Sequence, residues 1–168
     1  MNPKKFQLVS LAILLSISLN SCFFFASAAI AKRKAKKELT VDNRAIPADF
    51  GKNKSTMLVV KTGKKSYDKY LIKNFEEYVG DYRIVSAEAL DSAKYSNKTQ
   101  FRYVFNFKFE AHIITGYDGS ASTINVRRFS IQDRKDGILY QSPITSSYFG
   151  KVMKAYIENL NLEIENNR

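Results

Sequence analysis

Residues 100–115 contain the most constraining pattern in this chain, a regular alternation of apolar and more polar residues. Successive side chains of a β-strand point to opposite faces, so this period of two predicts a strand over 100–115 with one buried face and one solvated face. The apolar set is Phe101, Tyr103, Phe105, Phe107, Phe109, Ala111 and Ile113, and the other set is Arg102, Val104, Asn106, Lys108, Glu110 and His112. A sheet with one wet face is normally antiparallel at that strand and carries its helices on the dry face.

The remaining patterns predict four further strands and two helices. Apolar runs rich in β-branched residues predict strands at 56–61, 82–87, 123–131 and 138–142. Apolar residues three and four apart predict one helix that begins near Ser66 and a final helix capped by Ser146 or Ser147. A bulge at Arg127–Arg128 is expected, because the alternation of apolar residues changes phase there. The predicted fold class is α+β: a two-layer sandwich with a mixed or antiparallel sheet of about five strands and two helices on one face, in the order β-α-β-β-β-β-α.

An uncharged segment of 26 residues, Phe6–Ala31, precedes this domain. Two lysines come before it, and five basic residues follow it from Lys32 to Lys37. As a helix it would be about 39 Å long, which is enough to cross a membrane. The positive start and the apolar run to Leu19 also fit a secretory signal peptide.

The tetrapeptide Leu19-Asn20-Ser21-Cys22 resembles the lipobox of bacterial lipoproteins, with an aliphatic residue at −3, a small residue at −1 and then cysteine. The resemblance covers 22 residues and implies cleavage by signal peptidase II and acylation of Cys22. It predicts a signal peptide at 1–21, a lipid anchor and basic tether at 22–54, and a globular domain at 55–168. Two alternatives stay open: an uncut span over 6–31, which the larger number of basic residues on its C-terminal side favours, and cleavage after Ala28.

The charge of the chain is concentrated at its N-terminal end. The formal net charge is +11, but seven of the 27 basic residues and none of the 16 acidic ones precede Glu38. The remaining charge of +4 is spread without a dense patch and gives no support for nucleic-acid binding. If Cys22 is acylated, no thiol remains for a disulfide or a metal site.

The sequence contains no motif that indicates catalysis. His112 is the only histidine, and it lies on the predicted solvated face without a second histidine or a cysteine for a metal. Asp133 and Asp136 flank a turn and are interpreted as turn formers rather than calcium ligands. We therefore predict no enzyme activity, no cofactor, no metal and no small-molecule substrate. Arg127 and Arg128 are the residues that we expect to contact a partner.

The folded part resembles the small α+β domains of bacterial envelope proteins, such as the TolB amino-terminal domain and CsgG-type lipoproteins. The resemblance lies in residues 57–60, 82–85 and 129–133 running into 137–140, and it implies scaffolding or assembly work in the periplasm. The expected function is that of a membrane-anchored envelope lipoprotein whose domain acts as a non-catalytic scaffold or accessory subunit for another envelope protein. The alternative is a single-span membrane protein, anchored by 6–31, with a cytoplasmic binding domain.

Overall fold

The computed structural model describes residues 26–143 and 148–167. The elements in chain order are α1 (26–38), β1 (Met57–Val60), α2 (Lys65–Phe75), β2 (Tyr82–Val85), β3 (Tyr103–Thr115), β4 (Ala121–Asp133), β5 (Leu139–Gln141) and α3 (Phe149–Asn166), with two 3₁₀ turns at Glu88–Asp91 and Ala93–Tyr95. Cys22, most of the uncharged segment, and the predicted cap residues Ser146 and Ser147 lie outside the described residues.

The strands form one mixed sheet in the order β2-β1-β3-β4-β5. β1 is parallel to both β2 and β3, with Val59 opposite Ile84 on one side and Phe105 on the other. The chain then returns twice, so that β3, β4 and β5 make an antiparallel meander. The predicted parallel pairing of the first two strands and the meander that follows are confirmed.

The main core lies between one face of this sheet and the helices, which confirms the predicted α+β, two-layer arrangement. Phe105 of β3, Phe75 of α2 and Tyr156 of α3 are completely buried in it. Their rings are in contact, with centroids 4.9 Å apart for Phe75 and Phe105 and 5.6 Å apart for Phe105 and Tyr156. Aromatic rings thus supply much of the area that holds the two layers together.

A smaller core covers part of the opposite face of the sheet. The two 3₁₀ turns contribute Tyr95, which packs with Leu58, Val60 and Val104 from the sheet. β1 is therefore buried on both faces, which explains why its sequence is a continuous apolar run rather than an alternating one. The expectation that the second face of β3 is solvated fails at its beginning, because Arg102 and Val104 are buried there.

The segment predicted to be a tether is packed against the domain wherever the structure describes it. α1 and the chain that follows it contribute Ala35, Leu39, Ile46 and Phe50 to the main core, each at most 2 % exposed. Three helices rather than two therefore join this core, and residue 55 does not mark a boundary in the packing. The buried residues of α1 itself are Ala28 and Ala35, which are small, and Ala35 lies among lysines. The helical period of α1 is therefore hard to see in the sequence.

The predicted bulge at Arg127–Arg128 is wrong. β3 and β4 pair one to one without interruption from Tyr103–Asp133 to Thr115–Ala121. The apolar phase of β4 changes because only its second half lies under the helices, where Phe129 and Ile131 are buried in the main core. The shift in the apolar pattern of β4 therefore reflects where the strand becomes buried, and not an inserted residue.

Candidate interaction surface

The hairpin of β3 and β4 extends well beyond the rest of the sheet. β1 pairs with β3 only at Val104 and Phe105, and β5 pairs with β4 only from Ser130 to Gln132. From Phe107–Phe129 onward the two strands have no third strand beside them among the described residues. We call this two-stranded segment, residues 107–129, the arm; its strands are about 30 Å long.

A cluster of aromatic rings fixes the base of the arm to the helices. Phe149, the first residue of α3, has ring-centroid distances of 4.6 Å to Phe107, 5.4 Å to Phe129 and 4.8 Å to Tyr67 of α2. Tyr67 also packs edge-on against Phe109, 5.3 Å away. We call these five residues the collar, and they hold the arm where it leaves the helical layer.

The far end of the arm presents apolar side chains to solvent. Ile113 is 74 % exposed, Ile114 is 46 % exposed, and Tyr117 in the loop is fully exposed. The loop itself is held by hydrogen bonds, since the Ser120 amide and hydroxyl both donate to Asp118 Oδ1, at 3.0 and 2.6 Å. These bonds, first the one from the hydroxyl, lower the pKa of the Asp118 carboxyl. Ile113 and Ile114 are neighbours in β3 and face opposite sides of the hairpin, so apolar surface is exposed on both faces next to the loop. Exposed apolar surface of this kind can mark a protein-contact site.

The structure places the two predicted contact residues near the base of the arm. Arg127 lies opposite Phe109, and Arg128 lies directly opposite Lys108. Neighbouring residues of a strand belong to opposite faces, so the two arginines do not form one patch. Lys108 and Arg128 together put two positive charges on one face, an arrangement that favours an acidic neighbour.

The most buried polar cluster lies beside the N-terminal end of β3, at the end of the strand opposite to the arm. The Arg102 guanidinium, 6 % exposed, donates from Nε and Nη2 to Asp133, at 3.0 and 2.5 Å, and from Nη2 to Asp49 at 2.7 Å. The hydrogen bond to Asp133 is the main cause that raises the pKa of Arg102. Burial would raise the pKa of Asp49, but the hydrogen bond and the charge of Arg102, together with further hydrogen bonds to this carboxylate, outweigh it and lower that pKa.

This ion cluster was not expected from the sequence, which predicted a solvated Arg102 and a turn-forming Asp133. It connects β3, β4 and the segment after α1, and each carboxylate is already engaged by a guanidinium nitrogen. Asp133 also accepts a hydrogen bond from the Lys135 amide at 2.9 Å, so it forms the predicted turn as well. With its donors and acceptors engaged, the cluster is arranged for stability rather than for proton transfer.

An open groove of about 680 Å³ lies between α2, along its whole length, and the N-terminal end of α3. Tyr67, Tyr70 and Phe149 contribute aromatic surface to it, and Lys154 on its rim forms an ion pair with Glu77 at 2.6 Å. The groove contains no pair of titratable groups with the separation and burial of an acid–base site. It is therefore a weaker candidate than the arm.

The described residues offer no further site of the kinds considered in the sequence. None of them form a group of three or more histidine, cysteine or acidic residues that would hold a metal. His112 is a β3 residue opposite Ile124 in the arm. No helix in 26–143 or 148–167 combines the length and apolar character that crossing a bilayer requires.

Comparisons with protein families, with curated proteins and with solved structures found no match to this chain. The resemblances to lipoproteins and to envelope domains therefore remain expectations.

Proposed function

We propose that this chain is a membrane-anchored lipoprotein of a bacterial cell envelope whose α+β domain works by contact, as a non-catalytic scaffold or accessory subunit. The observation that carries the proposal is the arm. It projects beyond the sheet, is fixed at its base by the collar, and exposes Ile113, Ile114 and Tyr117 at its end. A rigid projection with an apolar end is suited to reach and bind another protein.

The position of α1 supports an anchor close to the domain. Only three residues separate Cys22 from residue 26, the first helical residue described, and the four Cα–Cα steps span at most about 14 Å. Lys32 and Lys36 of α1 are bonded to Glu158 of α3, at 2.6 and 2.7 Å, so α1 is part of the domain. An acyl group on Cys22 would thus hold the domain against the membrane surface.

The nature of the polar clusters supports a non-catalytic role. The most buried carboxylate among the described residues, Asp133 at 1 % exposed, belongs to the Arg102 cluster, and its oxygens accept hydrogen bonds within the protein. The most exposed large apolar side chains among the described residues, Tyr117 and Ile113, belong instead to the arm. The exposed apolar end of the arm thus lies away from the buried charges of the Arg102 cluster.

Metabolic labelling with palmitate tests the anchor. We expect the wild-type chain in a bacterial host to incorporate label and to have a mature mass that begins at Cys22, and we expect Cys22→Ala to lose both. A chain that begins at Met1 with an unmodified thiol would contradict the proposal and support the single-span alternative with an anchor over 6–31.

Site-specific photocrosslinking tests the contact role of the arm. A photoreactive amino acid at Tyr117 is expected to give discrete protein adducts in intact cells. Tyr70, which is also an exposed aromatic residue but lies on α2, provides the matched control and is expected to give none. Adducts of equal yield from both positions would show that the arm has no special role.

A further inference from the structure

The hydrogen bonds at the two ends of the hairpin determine which backbone groups of the arm point outward. The Ser142 amide donates to Phe129 O at 2.9 Å, so the polar groups of Phe129 point away from β3. The Gly116 amide donates to Ser120 O at 2.7 Å, so residue 116 points toward β4. Backbone direction alternates along a strand. The N–H and C=O groups of residues 107, 109, 111, 113 and 115 therefore point away from β4.

This outer edge of β3 lacks two of the features that normally prevent strand pairing, although Lys108 puts a charge on the strand and the Phe107 amide already donates to Asn106 Oδ1 at 2.7 Å. Residues 107–115 contain no proline, and their pairing with β4 contains no bulge. The described side chains from Lys108 to Thr115 outside residues 110–112 are exposed, and β1 reaches no further than Phe105. A long, regular and uncovered edge is a template for another strand.

We propose that this edge pairs antiparallel with the same edge of a second copy of the chain, with Ala111 opposite Ala111. The inference rests on the proposed contact role of the arm and names its partner. Antiparallel pairing must bring outward-pointing residues opposite each other, so odd-numbered residues pair with odd-numbered ones. Ala111 is the midpoint of 107–115, and a two-fold axis there uses the whole edge, with roughly eight hydrogen bonds once the two Phe107 amides that donate to Asn106 Oδ1 are left out.

The side chains match in this register. Phe109 lies opposite Ile113 of the second copy, which pairs an aromatic with a β-branched residue, and both are exposed in the single chain. The register also places Glu110 opposite His112 at two symmetric positions of the dimer. The edge of β4 offers no such match, because residues 121–128 contain two arginines and no acidic residue. The two-fold pairing also closes on itself and gives a dimer rather than a filament.

Cysteine crosslinking in membranes tests this register with the full-length chain. Facing Cα atoms in a hydrogen-bonded pair are about 5.5 Å apart, which is within the range of a disulfide. Ala111→Cys is therefore expected to give a covalent dimer on mild oxidation. Ile113→Cys is the matched control, because the two copies of residue 113 would be about 14 Å apart and would not crosslink. The wild-type chain measures any contribution of Cys22.

A proline substitution tests the backbone contacts separately. The Ala111 N–H points outward, so Ala111→Pro removes a bond to the second copy without removing one to β4. We expect it to weaken self-association at least tenfold in detergent, by sedimentation equilibrium, while the thermal unfolding midpoint stays near that of wild type. His112→Pro removes an inward N–H and is expected to lower the midpoint as well.

The inference fails if Ala111→Cys crosslinks no more than Ile113→Cys, or if Ala111→Pro associates as well as wild type. Adducts from Tyr117 to a different protein, with a monomeric chain, would refute the dimer and leave the proposed contact function standing. An unacylated chain that still crosslinks at Ala111→Cys would support the dimer and contradict the anchor.

Discussion

Gly51 packs directly against α3 in a conformation that favours glycine. Its φ is +86°, and an added Cβ would lie 2.8 Å from the backbone Cα of Ile164. Gly63 has a similar φ of +76° but open space around its Cα. Gly63→Ala is expected to lower the free energy of unfolding by about 1 kcal/mol through backbone strain alone. Gly51→Ala is expected to lower it by about 3 kcal/mol, because overpacking is added.

Urea unfolding of the two alanine variants measures this difference. The comparison is informative because both positions share the backbone conformation and differ in their surroundings. Equal losses would show that the chain after α1 is not held against α3 as the structure has it.

Asp49 gives the stability of the domain a dependence on acid. Burial raises its pKa, but the hydrogen bond and the charge of Arg102, with further hydrogen bonds, together outweigh burial, so the pKa is lowered in the folded state. Its contribution to stability is therefore present above the unfolded pKa of about 3.9 and is lost as the pH falls through the folded value. Asp49→Asn is expected to flatten the acid limb of the unfolding free energy, by about 1 kcal/mol or less since the side chain is 41 % exposed.

The check is urea unfolding of wild type and Asp49→Asn between neutral and acid pH. Asp42 is exposed and makes no ion pair with another described residue, so Asp42→Asn is the matched control. If the control flattens the curve as much as Asp49→Asn, the Arg102 cluster is not the origin of the acid sensitivity.

The partners in the Arg102 cluster could not be identified from the sequence. Local patterns report on near neighbours, and they place Arg102 in the polar phase of a strand and Asp133 at a turn. The two residues meet because the β3–β4 register puts Tyr103 opposite Asp133. A contact across 31 residues is decided by this register, which becomes visible only when the two strands are paired.

At the scale of elements, Asn159 of α3 holds the C-terminal end of α1. Its side-chain amide donates to Lys36 O at 3.0 Å and to Leu39 O at 2.6 Å. The last carbonyls of a helix have no partner within the helix, and a buried unpaired carbonyl is costly. Asn159→Ala is expected to lower the free energy of unfolding by about 1–3 kcal/mol and to speed amide hydrogen exchange in α1.

Leu162, on the same helix but 52 % exposed, provides the control for this measurement. Leu162→Ala is expected to change stability by less than about 0.5 kcal/mol and to leave exchange in α1 unchanged. Unchanged exchange in Asn159→Ala would mean that α1 is held by its apolar contacts alone.

The contrast between β3 and α1 shows which elements a sequence reveals. β3 was predicted because large aromatic residues alternate with polar ones in one uninterrupted stretch. The buried residues of α1 include Ala28 and Ala35, which are small and lie among lysines, so the helical period carries little contrast. The residues that hold α1, Glu158 and Asn159, follow more than 100 positions later. The projection of the arm was not predicted either, since it depends on the register at which the short strands β1 and β5 pair with β3 and β4.

At the scale of the whole molecule, the position of α1 would orient the domain relative to a membrane if the proposed acylation of Cys22 takes place. Arg33, Lys34 and Lys37 are exposed on α1, and α1 follows Cys22 by four residues. In an acylated chain these basic side chains lie near the lipid headgroups, where each attracts anionic lipid by about 1 kcal/mol. The sequence predicted a basic tether at 22–54, and a tether by itself does not define the orientation of the domain.

Lysine footprinting of the acylated chain in vesicles measures this orientation. We expect acetylation of Lys34 and Lys37 to be several-fold slower in anionic than in neutral vesicles, and high salt to remove the difference by screening. Lys98 and Lys135, which are exposed elsewhere on the domain, are the internal controls and are expected to react equally in both. If Lys98 is protected as strongly as Lys34, the domain does not meet the membrane through α1, and the direction in which the arm projects must be reassigned.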